Sequence, residues 1–126
     1  MKSFLAACTL FLLLAALSLG NARYMERLSA SLLEPLEKAQ DCALQQHWEE
    51  GSAALLEMEQ QWQKRLFYLQ IIVEHDEIER AEDLLASLQA FMSQRELPEC
   101  LAELAQLRHQ ILLLSNLQQP TLGYLL

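Results

Sequence analysis

The stretch Leu66-Phe67-Tyr68-Leu69-Gln70-Ile71-Ile72-Val73-Glu74-His75-Asp76-Glu77-Ile78-Glu79 decides how this chain folds, because two apolar stripes meet in it. One stripe arrives as Leu55, Met58, Trp62, Leu66, Leu69 and Val73. The other departs as Ile78, Ala81, Leu85, Leu88 and Met92. Both advance by threes and fours, which keeps their side chains on one face of an α-helix. The patch between them, Glu74 to Glu79, is the most polar in the chain. The spacing predicts two amphipathic helices joined at an acidic corner that carries a histidine. The second helix should run to about Glu74. Asp76-Glu77-Ile78-Glu79 has the form of a capping box and should open the third helix.

Working outward, Met25, Leu28, Leu32, Leu36, Ala39 and Ala43 mark an earlier helix on the same spacing. Pro35 falls inside that pattern, where it removes a backbone donor and either bends the helix or marks where the folded part begins. We place the start of the bundle at Pro35 and read residues 23–34 as a helical stalk. Gln45-Gln46-His47 reads as a turn, and Trp48-Glu49-Glu50 opens the second helix with carboxylates at its positive end. Gly51 in that first turn permits close approach of a neighbour. Downstream, Ser93 to Glu96 forms the next turn. Pro98 sits where a first helical turn tolerates it, and Leu97, Leu101, Leu104, Leu107, Ile111 and Leu114 carry a fourth helix. A shift of 49 residues lays Trp48 on Leu97, Leu55 on Leu104, Met58 on Leu107 and Trp62 on Ile111. The expected fold is therefore all-α: an N-terminal hydrophobic helix, then an antiparallel four-helix bundle over residues 35–117 made of two helix hairpins. Tetratricopeptide-like packing of the pair is an alternative. Residues 118–126 form an apolar tail expected to pack back on the bundle.

Residues 3–20 are uncharged and apolar after Lys2. They fit either a secretory signal ending in small residues near Ala22 or a short membrane anchor. With a two-residue N-terminal flank, the default orientation is N-inside and C-outside. The chain has 9 basic and 17 acidic residues, a net charge of -8, and all the acidic ones lie beyond Ala22. That balance argues against binding nucleic acid, whose phosphates the surface would repel. Hydrophobic residues make up 52% with only 3 Gly and 3 Pro, as in a compact helical domain.

Few residues suggest chemistry. His75 and Glu79 stand four apart on one helix face, a spacing that suits a metal. No second histidine is within helical reach, and no glycine shapes a calcium loop. The simpler reading is a solvated helix start. His47 and His109 lack partners nearby in sequence, and neither a nucleophile elbow nor a phosphate loop is present. No catalysis and no cofactor are expected. Cys42 and Cys100, late on the first helix and early on the fourth, lie at the same end of such a bundle. A disulfide between them is geometrically allowed, and so are two small buried thiols. Phe67, Tyr68 and Tyr124 are candidates to face a partner.

With these residues laid out, the chain resembles a bacterial family, the domain of unknown function 4363. The resemblance rests on Trp62, the corner His75-Asp76-Glu77-Ile78, Leu88 and Thr121-Leu122, over about residues 36–126. It implies a hydrophobic N-terminal segment and a short helical domain, and no activity. The residues and the resemblance together lead to a single-pass membrane protein with its C-terminal domain outside, held by residues 3–20. It would bind a membrane or envelope protein, with homo-oligomers allowed. The alternative is a secreted protein, cleaved near Ala22, that binds a metal or small ligand at the His75 corner.

Overall fold

The computed structural model of the chain describes residues 1–117, with side chains through Ser115. Its order is α1 (Lys2–Leu44), α2 (Trp48–Ile72), α3 (His75–Ser93) and α4 (Leu97–Leu117), with no strand among the described residues. The helices alternate in direction. Each packs against its neighbours in sequence, and α1 also packs against α4, so the four close into a ring around one core. An open repeat stack would leave its first and last helices apart, so the tetratricopeptide-like alternative does not describe this arrangement.

The stripes form that core. Met25, Leu28, Leu32, Leu36, Ala39 and Ala43 from α1 face Leu55, Met58, Trp62 and Leu69 from α2 across a buried interior. Ile78, Ala81, Leu85, Leu88 and Met92 of α3, and Leu104, Leu107, Ile111 and Leu114 of α4, complete it. Gly51 brings α2 close to the far end of the core: a Cβ there would lie 2.9 Å from the Met92 sulfur. That contact is the close approach its position suggested.

Two expectations need correction. The segment 23–34 is not a stalk. Met25, Leu28 and Leu32 are each 2% exposed, and burial begins at Ala22. Pro35 does not mark the start of the folded part; it is buried inside one unbroken helix from Lys2 to Leu44. A proline in a helix interior costs about 3 kcal/mol. Buried Leu and Met side chains contribute about 1.5–3 kcal/mol each. The stripe continues in register on both sides of Pro35, so packing outweighs the missing hydrogen bond. The second correction is local. The N-cap of α3 is Glu74, not Asp76, and its side chain makes no capping bond. The carboxylates Asp76 and Glu77 lie instead in the first turn, where they oppose the helix dipole. The tail 118–126, expected to pack on the bundle, lies outside the described residues.

The 49-residue echo is built into the turns. At the end of α1, Gln46 takes φ 62°, and at the end of α3 Arg95 takes φ 60°. The amide of His47 donates to the Cys42 carbonyl at 2.8 Å, and the amide of Glu96 donates to the Phe91 carbonyl at 3.1 Å. The shorter bonds follow suit, Gln46 to Ala43 at 3.0 Å and Arg95 to Met92 at 3.2 Å. These are matching Schellman closures, each with a non-glycine residue in the left-handed conformation that normally favours glycine. The α2–α3 connection is different, passing through extended Val73 and Glu74.

Two outcomes are expected. Leu28→Ala should lower unfolding free energy in urea by about 2–5 kcal/mol, as for a core leucine; a stalk residue would change it by less than ~0.5 kcal/mol. Gln46→Gly and Arg95→Gly should each stabilise the bundle by up to about 1 kcal/mol, by relieving the left-handed strain, measured by the same melts.

Candidate functional site

The most structured polar constellation lies where α1 leaves the bundle. α1 is exposed from Lys2 to Gly20 apart from a partly covered Ala15, and Asn21 and Ala22 are the first residues to meet the bundle. Because α2 runs antiparallel, its last turns lie against that point. The Tyr68 hydroxyl donates to Asn21 Oδ1. The Tyr68 and Tyr24 rings meet edge to face, with centroids 4.4 Å apart and planes at 68°. Arg65 Nη1 donates to the Tyr24 hydroxyl at 3.3 Å, and its guanidinium lies 5.8 Å from the centre of that ring. Burial, and behind it the neighbouring Tyr24, raises the Tyr68 phenol above its ordinary value. Tyr68, read as a partner-facing residue, is thus engaged inside the chain. Phe67 beside it points outward and is 77% exposed. Ile71, one turn on along the same face, is 67% exposed. The third partner candidate, Tyr124, lies outside the described residues.

The sequence reading missed Asn21, Tyr24, Arg65 and Ile71. A signal was present, since aromatic and basic residues follow the apolar run at Arg23, Tyr24 and Arg27 and recur at Lys64, Arg65 and Tyr68. Periodicity could not show that the two groups meet, because their juxtaposition depends on the α1–α2 hairpin.

Every adjacent helix pair has a polar tie of this kind. Gln89 Nε2 donates to Glu59 Oε2 at 2.9 Å between α3 and α2. The buried Gln110 on α4 donates to the Glu77 carbonyl at 3.2 Å and to Glu77 Oε2 at 2.5 Å. Arg108 Nη2 lies 3.8 Å from Glu37 Oε1 between α4 and α1. Glu77 of the acidic corner therefore serves as an acceptor that fixes α4.

His75 and Glu79 do meet, Nε2 to Oε1 at 2.8 Å, on an exposed face. They are one pair: among the described residues no group of three or more His, Cys, Asp or Glu side chains is placed to hold a metal ion. His47 sits 3.8 Å from Glu50 at the opposite end of the bundle, beside the open surface formed by Gln46, Trp48 and Arg95. The groove along α3, lined by Asp76, Glu79, Arg80, Asp83 and Glu103, is likewise open. The apolar void in the core, lined by Met25, Leu28, Trp62, Ile111 and others, measures about 10 Å³. At most one water fits such a space.

Cys42 and Cys100 are both buried free thiols, so the allowed disulfide is not formed. Cys100 is 0% exposed. Burial raises its thiol above the ordinary 9.0, and Glu96 and Glu99 add to the rise. A raised folded-state value means the unfolded chain loses this proton first. Cys100 therefore contributes stability that is fully present below about pH 9 and lost as pH rises above it. Urea melts between pH 7 and 10 should show this fall. In Cys100→Ala the slope above pH 9 should be shallower, whatever the change in overall stability.

A family model described as domain of unknown function (DUF4363) matches residues 19–125. The match begins close to Ala22, where burial begins, and so takes in residues 23–34 as well as the part from Leu36 onward. No curated protein and no solved structure matches the chain. The chain therefore belongs to the DUF4363 family.

Proposed function

We propose that the chain is a membrane-anchored module that holds a four-helix bundle against a bilayer, on the outer side, and works by binding another protein without catalysis. The observation that carries this reading is the continuity of α1. The stretch of α1 near the N-terminus is long and apolar enough to cross a membrane, with none of its span covered by the rest of the chain. The same helix then supplies one whole corner of the bundle. Left in water, a run from Phe4 to Leu19 of exposed leucine and phenylalanine would be an aggregation hazard; in lipid it is satisfied. The bundle itself offers a packed core and open grooves, the form of a binding surface more than of a reaction chamber. A cleaved protein with a metal at His75 is the second reading, and it rests on the single His75–Glu79 pair.

The full chain, expressed with a C-terminal tag, should stay in the membrane fraction through carbonate washing. Its intact mass should include residues 1–22, and a protein partner should co-purify from solubilised membranes in fixed proportion. A mature chain starting near Arg23 would overturn the anchored reading. Retention without a partner, together with catalytic turnover by the purified protein, would overturn the non-catalytic one.

A further inference from the structure

We propose that the end of α2 is a second membrane contact: Phe67 and Ile71 sit in the headgroup layer of the bilayer that α1 enters, with the Tyr24–Tyr68–Arg65 group as an interfacial belt. The inference rests on the anchored reading of α1. Its geometry follows from the register of the hairpin. Tyr68 is bonded to Asn21 and its ring meets that of Tyr24, so it lies level with the Asn21–Tyr24 turn along the antiparallel pair. Each residue of helix rises about 1.5 Å. Ile71, three residues beyond Tyr68, therefore lies about 4.5 Å further toward the N-terminal end of α1, between the heights of Ser18 and Asn21. That height is the end of the uncharged run, where α1 passes from exposed to buried.

The chemistry of the patch fits this depth. The span from Ser3 to Gly20 covers about 27 Å as a straight helix, slightly less than the roughly 30 Å hydrocarbon core. A short span draws its flanking residues toward the bilayer. Those flanks hold Tyr24 and Tyr68, whose rings are apolar in body and polar at the tip, and Arg23, Arg27 and Lys64, which are exposed at the same end of the bundle. Aromatic and basic residues in this arrangement favour the membrane–water interface. Phe67 and Ile71 lie one turn apart on the outward face of α2, with Lys64 one turn above them. Continuity with the bare surface of α1 selects lipid as the occupant, because the two exposed faces adjoin on helices that touch. Glu74 and Asp76 stand at the same end, at the α2–α3 corner, and confine the contact to a headgroup layer without strong negative charge. The contact would stop the bundle from tilting freely about its anchor, which gives the outer surface a defined orientation.

Site-directed spin labelling of the full chain in phosphatidylcholine vesicles tests this. Cys8→Ala serves as background, since Cys42 and Cys100 are buried. Labels are placed at Phe11→Cys in the span, at Ile71→Cys, and at Gln60→Cys, which is exposed higher on the same helix. The ratio of accessibility to oxygen over a water-soluble nickel chelate should be several-fold higher at position 71 than at position 60, and closer to that at position 11. If position 11 is lipid-facing while 71 matches 60, the anchor stands and this proposal falls. Shielding of position 71 from both reagents means that protein covers it, a second copy included, and also overturns the proposal. Water-like values at position 11 would remove the anchored reading and this inference with it.

Discussion

One continuous helix from Lys2 to Leu44, lacking only the hydrogen bond that Pro35 cannot donate, is the constraint on which the molecule depends. One helix does two jobs with opposite surface requirements. Its stretch up to Gly20 is apolar on all sides and exposed; the remainder buries a narrow stripe and presents a polar face. Helical geometry lets the two halves share one axis, so the direction of the first half sets the direction of the whole bundle. Pro35 would be the natural place for a hinge between them. It is instead buried within the bundle's half of the helix, where the packing of Leu32 and Leu36 on either side holds the axis through it.

Around that axis the bundle is assembled from two hairpins of similar design. The matching left-handed closures at Gln46 and Arg95 give both hairpins the same entry into their second helix, and Gly51 and Cys100 occupy equivalent places just beyond. Small residues at these two positions let α2 and α4 approach their neighbours, and the buried Met92 fills the space above Gly51. Hydrophobic burial supplies most of the stability, and the interhelical ties supply register. A bond such as Gln89–Glu59 is worth about 0.5–1.5 kcal/mol, while the half-exposed Arg108–Glu37 pair is worth about 0–1 kcal/mol. Leucine stripes slide past one another with little preference, so modest directional contacts of this size select one pairing.

The polar residues divide between the two ends of the bundle. The end away from the apolar segment carries both Schellman turns with His47, Trp48 and Arg95. The near end gathers the tyrosine pair, Arg65 and the extended α2–α3 corner. The acidic corner, which stands out in the sequence, is largely solvated, apart from Glu77, which accepts from Gln110. The Tyr24–Tyr68 group, which does not stand out, joins the two helices where the chain passes from exposed to buried.

Much of the fold was legible because helical burial leaves a periodic trace. The stripes through Trp62, Leu88 and Leu107, the turn at Gln46 and the repeat between hairpins could be read directly, since each depends on residues near one another in the chain. The extent of the bundle could not. Whether Met25 and Leu28 belong to a stalk or a core depends on how far α2 and α4 reach along α1, which is a matter of relative length and register. The candidate site was hidden for the same reason. Asn21 and Tyr68 are 47 positions apart, and Phe67 and Ile71 count as a surface only once the rest of their helix is covered. Local spacing determined which residues turn inward; only the packing of whole helices decided which of the remainder meet and which stay bare.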